Sequence, residues 1–286
     1  MSAATFRAMN RTPRRTLKGI AAVVLVAAVG IAGPQIWAPT QKAEAFPIDA
    51  LSLGSNAHGA MTRTAVRQFL REVYGITTPT LAQEQAATEV GIGNEAVDAD
   101  QISSAKHFDG ENFTGGKAQI TANLTTAVTQ AKADVPGFAR TSVGAALHTI
   151  QDFYAHTNWV ELGKTTINPN LYNSLSVGTI AGPREVTCDF LDGGQLTTTK
   201  LTSGYYGGED RVAEIAGKCR HGGPTDLGAG SGGMNKDFNL LLFSPHAAFH
   251  TTAADLAIKA SLQFLKDYRL KVANETKTKN VFNVPV

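Results

Sequence analysis

Three residues of metal-ligand type stand four apart along one stretch of the chain, His148-xxx-Asp152-xxx-His156. Positions four apart are neighbours on a helix, so this spacing puts two imidazoles and a carboxylate on one face. The chain has seven histidines, and the four-residue spacing recurs in His246-xxx-His250. His58 opens another periodic segment, and His107 follows Asp98 and Asp100 at short distance. Imidazole nitrogen combined with carboxylate oxygen suits Zn²⁺, whereas Mg²⁺ or Ca²⁺ would take oxygen almost alone. A single triplet of this kind is equally a polar helix face. The recurrence of the spacing and the acids upstream of His107 favour a metal site. His221, in Arg220-His221-Gly222-Gly223, reads as a loop hydrogen-bonder or substrate contact rather than a ligand. Covalent nucleophilic catalysis is not expected, since the chain has no Gly-x-Ser-x-Gly elbow. The run GAGSGG (228–233) lacks the Lys-Ser/Thr ending of a phosphate loop and reads as a flexible connection.

The elements that must position these residues are helical. Met61, Ala65, Phe69 and Val73 recur at four-residue spacing after His58, so 58–74 reads as an amphipathic helix stopped by Gly75. Segments 82–96 and 117–133 are rich in Ala, Thr and Gln and read as helices. Pro136-Gly137 breaks the chain before a helix over 138–160, with Val143, Ala146, Leu147, Ile150 and Phe153 on its apolar side. The last long helix is expected over 244–270, opening with His246 and His250. Between 163 and 243 the chain is rich in Gly, Thr, Ser and Asn, a long irregular excursion that needs a function or a staple. Cys188 and Cys219 are the only cysteines, and in an exported protein such a pair reads as one disulfide. The alternative is two buried thiols.

Export is the expectation for residues 1–45. Arg7, Arg11, Arg14, Arg15 and Lys18 precede an apolar stretch of about 15 residues, short of the ~20 that span a bilayer. Ala43-Glu44-Ala45 then forms a cleavage-type site, and Arg14-Arg15 also fits a twin-arginine signal. A retained anchor is the alternative. Cleavage would leave one domain, 46–286, secreted or in the periplasm or cell envelope. The first 45 residues carry six of the 26 Lys+Arg and one of the 24 Asp+Glu, so the formal charge changes from +2 to −3 on their removal. The remainder has no basic excess of the kind that marks sequence-specific nucleic-acid binding.

The stretch LHTIQDFYAHTNWVELG (147–163) resembles the amino-terminal region of von Willebrand A-domain proteins of the Het-C-like group. The resemblance extends through NEAVD (94–98), HFDGENF (107–113), LTSGYYG (201–207), GKCRHGG (217–223), GMNKD (233–237) and FSPHAAFH (243–250), with no A domain expected in 1–286. More distantly, the order of ligands is similar to that of the zinc-dependent phospholipase C and single-strand nuclease superfamily. That resemblance implies an all-α, compact domain with up to three zinc ions and a disulfide-stapled loop region. It would place Asp98, His107, His148 and Asp152 on one zinc, with Asp100 as the alternative to Asp98. The α-amino group of Phe46, His58 and a bridging Asp152 would hold a second, and His156, His246 and His250 a third. It further implies metal-activated water as the nucleophile, with Asp98 as ligand and general base, and a phosphodiester or phospholipid substrate met at a membrane surface. A single-strand nuclease is the alternative enzyme, for which Phe153, Tyr154, Trp159, Tyr205 and Tyr206 are candidate stacking residues. A zinc-stapled interaction or membrane-perturbing module is the non-enzymatic alternative.

Overall fold

Local capping chemistry fixes several helix boundaries. In the computed structural model, residues 57–189, 195–205, 217–222, 233–242 and 244–286 are described. The expected export segment, Phe46, Tyr206 and all of GAGSGG except Gly233 lie outside them. Helix α1 (His58–Tyr74) stops where Gly75 turns left-handed at φ 69°, its N–H donating to Arg71 O at 3.0 Å. Glycine adopts that conformation without a Cβ penalty. Helix α2 (Leu81–Glu95) starts from a reciprocal cap in which Thr80 N–H donates to Gln83 Oε1 and Gln83 N–H to Thr80 Oγ1. After the single turn α3 (Ser104–His107), Asn112 caps α4 (Phe113–Lys132) by accepting from Gly115 N–H at 3.0 Å. Helix α5 (Pro136–His156) opens on proline, whose missing N–H is harmless in a first turn. Helices α6 (His250–Val272) and α7 (Glu275–Val281) complete the set.

The fold is mostly helical, as the periodicity implies, with two boundary differences that bear on function. Helix α5 ends at His156, because Thr157 turns extended (φ −108°, ψ 162°) and pairs with Ser203. The last long helix begins at His250, six residues later than expected. Ser244 Oγ accepts from His246 N–H at 3.0 Å, and Phe249 N–H donates to His246 O at 2.9 Å. These tight bonds make Ala247–Phe249 a 3₁₀ turn. His246 and His250 are therefore not a helical i, i+4 pair.

Helix α5 is the hub, packed by α2, α4 and α6, with α1 against α2 and α6. Phe69, Phe153, Tyr154, Phe264, Tyr268 and Phe282 are buried in one continuous core. Small residues let α2 approach α5 at backbone distance: a Cβ on Gly144 would lie 2.2 Å from Val90 O, and one on Gly93 2.8 Å from Thr141 Cα. That crossing carries Asn94 onto α5. The 163–243 excursion returns to the end of α5 through short pairings. β1 (Cys188–Asp189) pairs antiparallel with β2 (Gln195–Leu196), and Tyr205, Arg220 and Gly233 form successive parallel bridges. The Cys188–Cys219 disulfide joins β1 to the middle of these segments. No helix of the described residues is long and apolar enough to cross a membrane.

Candidate metal centre

The polar face of α5 is buried, not solvated: His148, Gln151 and Asp152 are fully inaccessible. Burying such groups is costly unless each finds a partner, and the partners come from α1, α2 and the 98–107 segment. Asp152 Oδ2 lies 2.9 Å from both His107 Nδ1 and His148 Nε2, while its Oδ1 lies 3.1 Å from His58 Nε2. His148 Nε2 is also 3.1 Å from His107 Nδ1 and 3.5 Å from Asp98 Oδ1. The structure thus gathers five of the expected ligands: His58, Asp98, His107, His148 and Asp152. Asp98 presents its carboxylate to this group, held by Gln101 Nε2 at 3.1 Å. Asp100 turns its own to Lys106 and offers only a backbone carbonyl to His107.

A chain of hydrogen bonds sets the tautomer of each imidazole. Ser261 Oγ–H donates to Ala257 O, so it accepts from Gln151 Nε2, and Gln151 Oε1 therefore faces His58 Nδ1 at 2.6 Å as an acceptor. Asn94 Nδ2 donates to Thr62 Oγ1 and Gln151 Oε1, leaving Asn94 Oδ1 to accept from His148 Nδ1 at 3.1 Å. His107 Nε2–H donates to Asp100 O at 3.0 Å. In each neutral ring the remaining nitrogen carries a lone pair, and His58 Nε2, His107 Nδ1 and His148 Nε2 all turn it toward Asp152. Two imidazole lone pairs and a carboxylate oxygen within about 3 Å of one another require a cation between them. Fixed tautomers of this kind are how outer hydrogen bonds orient metal-binding histidines.

A proton or a metal ion can fill that role. Burial pushes the His148 imidazole down to about 3, against the pull of Asp152. Burial acts most strongly on His107 too, but the bond to Asp152 together with the charges of Asp152 and Asp109 raises its pKa. Asp152 is pressed upward by burial, yet its histidine neighbours, His148 foremost, hold it well below the usual carboxylate range. A proton on His107 would satisfy one contact. A tetrahedral zinc, with ligand bonds of about 2.0–2.1 Å, needs donors about 3.3–3.4 Å apart. The separations of His148 from His107, Asp98 and Asp152, and of His107 from Asp152, run from 2.9 to 3.5 Å and bracket that value. Residues of the right type and spacing are present for zinc.

The other expected ligands lie elsewhere. His156 Nε2 is 3.2 Å from both Asp237 Oδ1 and His221 Nε2, and its Nδ1 is 3.0 Å from Asp109 Oδ1. His246 Nδ1 lies 3.1 Å from Glu161 Oε1, beside the buried Lys236–Glu161 pair, and His250 Nδ1–H donates to Lys236 O. Three-residue donor groups among the described residues include His156 with Asp109 and His221, and none contains His246 or His250. Spacing gave no sign of Asp109 or Asp237, nor of the orienting Asn94 and Gln151. Their common signal is sequence proximity to chemistry already marked, in NEAVD, HFDGENF, LHTIQDFYAHTNWVELG and GMNKD.

The family model described as VWA7 N-terminal domain matches residues 64–278. Von Willebrand factor A domain-containing protein 7 of Rattus norvegicus is 36% identical over 199 residues, 65% of this chain and 22% of the relative. The Homo sapiens protein of that name is 40% identical over 166 residues, 55% of this chain and 18% of the relative. The chain therefore spans about a fifth of the length of these curated relatives. No solved structure matches it. With the family model covering every element from within α1 to within α7, the chain belongs to the VWA7 N-terminal domain family.

Proposed function

We propose that this domain is a zinc-dependent hydrolase of phosphodiesters, phospholipase C-like in its chemistry, built on two metal positions that share Asp152. The observation that carries this reading is the convergence of three imidazole lone pairs of fixed tautomer on the two oxygens of one buried carboxylate. On one side, Oδ2 joins His107, His148 and Asp98 in a set of four protein donors. On the other, Oδ1 joins His58, with His148 in the same donor group, and the catalytic reading requires that this zinc keep a coordination position for water and substrate. Zinc bound by these residues would activate a water nucleophile near neutral pH and offset transition-state charge. Asp152 balances that charge, Asn94 and Gln151 hold His148 and His58 in the liganding tautomer, and Asp98 at the edge accepts a proton from attacking water. The α-amino group of Phe46, outside the described residues, is kept as a further proposed ligand, and residues 1–45 are proposed to direct the domain out of the cytoplasm toward a phospholipid substrate.

A nuclease is less favoured, because its stacking platform is missing among the described candidates. Phe153 and Tyr154 are fully buried, Trp159 packs on Phe153, and Tyr205 donates its hydroxyl to Glu111. The burial of all five donors, none more than 4% exposed, favours a second reading, a closed zinc-stapled interaction module. Purified protein reconstituted with Zn²⁺ separates the two when assayed on bis-p-nitrophenyl phosphate, phosphatidylcholine vesicles and single-stranded DNA. Chelator-sensitive hydrolysis of the first two substrates, restored by Zn²⁺, is the expected result. Stoichiometric zinc with no chelator-sensitive turnover would leave the closed module in its place.

A further inference from the structure

We infer that Asp109, His156, His221 and Asp237 form a separate metal centre that takes one Zn²⁺, distinct from the group around Asp152. The argument begins with tautomers. His156 Nδ1–H donates to His107 O at 2.8 Å, and His221 Nδ1–H donates to Gly222 O at 2.6 Å. In each neutral ring Nε2 then carries the lone pair, and these two nitrogens stand 3.2 Å apart with Asp237 Oδ1 3.2 Å from His156 Nε2. Such a group needs a cation among its donors, a proton on His156 or a metal ion.

Asp109 closes the other side. Its Oδ1 is 3.0 Å from His156 Nδ1 and 3.8 Å from His221 Nε2. The His156 N–H is aimed at His107 O, however, and Asp109 Oδ1 makes no hydrogen bond although it is buried. Two neutral imidazoles and two carboxylates match the charge of a divalent ion and the nitrogen–oxygen preference of zinc. All four residues are at most 3% exposed. A buried N₂O₂ set of this kind is expensive to assemble without an ion.

The surrounding chain is built to hold these four donors together. Phe108 adopts a left-handed φ of 58°, which swings Asp109 away from His107 and toward α5. Lys236 N–H donates to Ala155 O at 3.0 Å, laying the 233–237 segment along the end of α5 and delivering Asp237. His221 N–H donates to Tyr205 O, and the disulfide fixes Cys219 two residues away. Buried Lys218 bonds both oxygens of Glu111 at 2.8 Å and so ties the His221 segment to the turn that carries Asp109. The His156–His107 carbonyl bond links this centre to the first. Its existence does not depend on hydrolysis by the first.

The test is the zinc-to-protein ratio of the purified full chain, by elemental analysis and native mass spectrometry, compared with variants. His221→Gln and Asp237→Asn are each expected to lower the count by one zinc. His148→Gln should lower the count by removing different zinc, so His148→Gln/His221→Gln loses more than either single change. Asp109→Asn serves as a further variant should His221→Gln fail to fold, judged by far-UV circular dichroism. Unchanged zinc in His221→Gln and Asp237→Asn would overturn the assignment. So would a loss of one zinc in His246→Ala without loss in His221→Gln, since that returns the ligand role to the His246/His250 pair. Loss of hydrolysis alone, with the count intact, would bear only on the catalytic reading of the first centre.

Discussion

Asp152→Asn distinguishes a metal centre from a buried hydrogen-bonded cluster, because the exchange keeps the shape and removes the charge. The residue is fully buried, and near-equal volume leaves no cavity to confuse the result. Its Oδ2 stands 2.9 Å from two histidines and its Oδ1 3.1 Å from a third. Whichever way the amide sits, one of these positions becomes an N–H aimed at an imidazole lone pair, and both metal positions lose their shared anion. With free zinc about 1,000-fold above Kd, binding adds about 4 kcal/mol to stability. At about 2–4 °C per kcal/mol for a domain of this size, each bound zinc should raise the wild-type Tm by about 8–16 °C. The variant should lose the rise due to the positions that share Asp152 and keep that of the Asp109–Asp237 centre. In excess chelator the two proteins should differ by only about 1–3 kcal/mol, the scale of one exchanged buried hydrogen bond to a charged group. Scanning calorimetry of both proteins, with zinc and with chelator, closes the cycle. An equal zinc-induced rise in both, or equal destabilisation with and without zinc, would refute the shared-ligand argument.

Glu161→Gln should cost about 3–5 kcal/mol in urea unfolding, since it leaves the fully buried Lys236 ammonium, 2.9 Å from Glu161 Oε1, with neutral acceptors only. Burial presses the Glu161 carboxyl upward, but Lys236 and His246 hold it below its ordinary 4.5. Its contribution is therefore complete above about pH 4.5 and lost as pH falls through the depressed value, so the gap between wild type and variant should narrow in acid. Gly144→Ala should destabilise by about 3 kcal/mol, the upper end of overpacking costs, because the new methyl meets backbone atoms of α2 at 2.2–2.7 Å. Since Asn94 moves with α2, zinc affinity should fall in the same variant, read by competition with a chromophoric chelator; unaltered affinity would show that His148 needs no such support.

The candidate ligands legible in the sequence were those on periodic segments. His148 and Asp152 share a face of α5 because four residues make about one turn, and His58 falls at the mouth of α1, whose apolar spacing is plain. Asn94 and Gln151 were not legible, although they decide which nitrogen of His148 and His58 can bind metal. An amide on a helix has no pattern of its own, and its role exists only once α2 has closed on α5 through Gly93 and Gly144. His246 and His250 present the opposite case. Their spacing is that of a ligand pair only if the backbone between them is helical, and the serine turn at Ser244 winds it into a 3₁₀ segment instead. Asp109, His221 and Asp237 reach His156 from segments 47, 65 and 81 residues distant, joined by single bridges, a buried ion pair and a disulfide. Periodicity reports which residues share a face, whereas a donor set is fixed by where unrelated segments cross. The part of a metal centre that lies on one helix is therefore readable in advance, and the part that closes it is not.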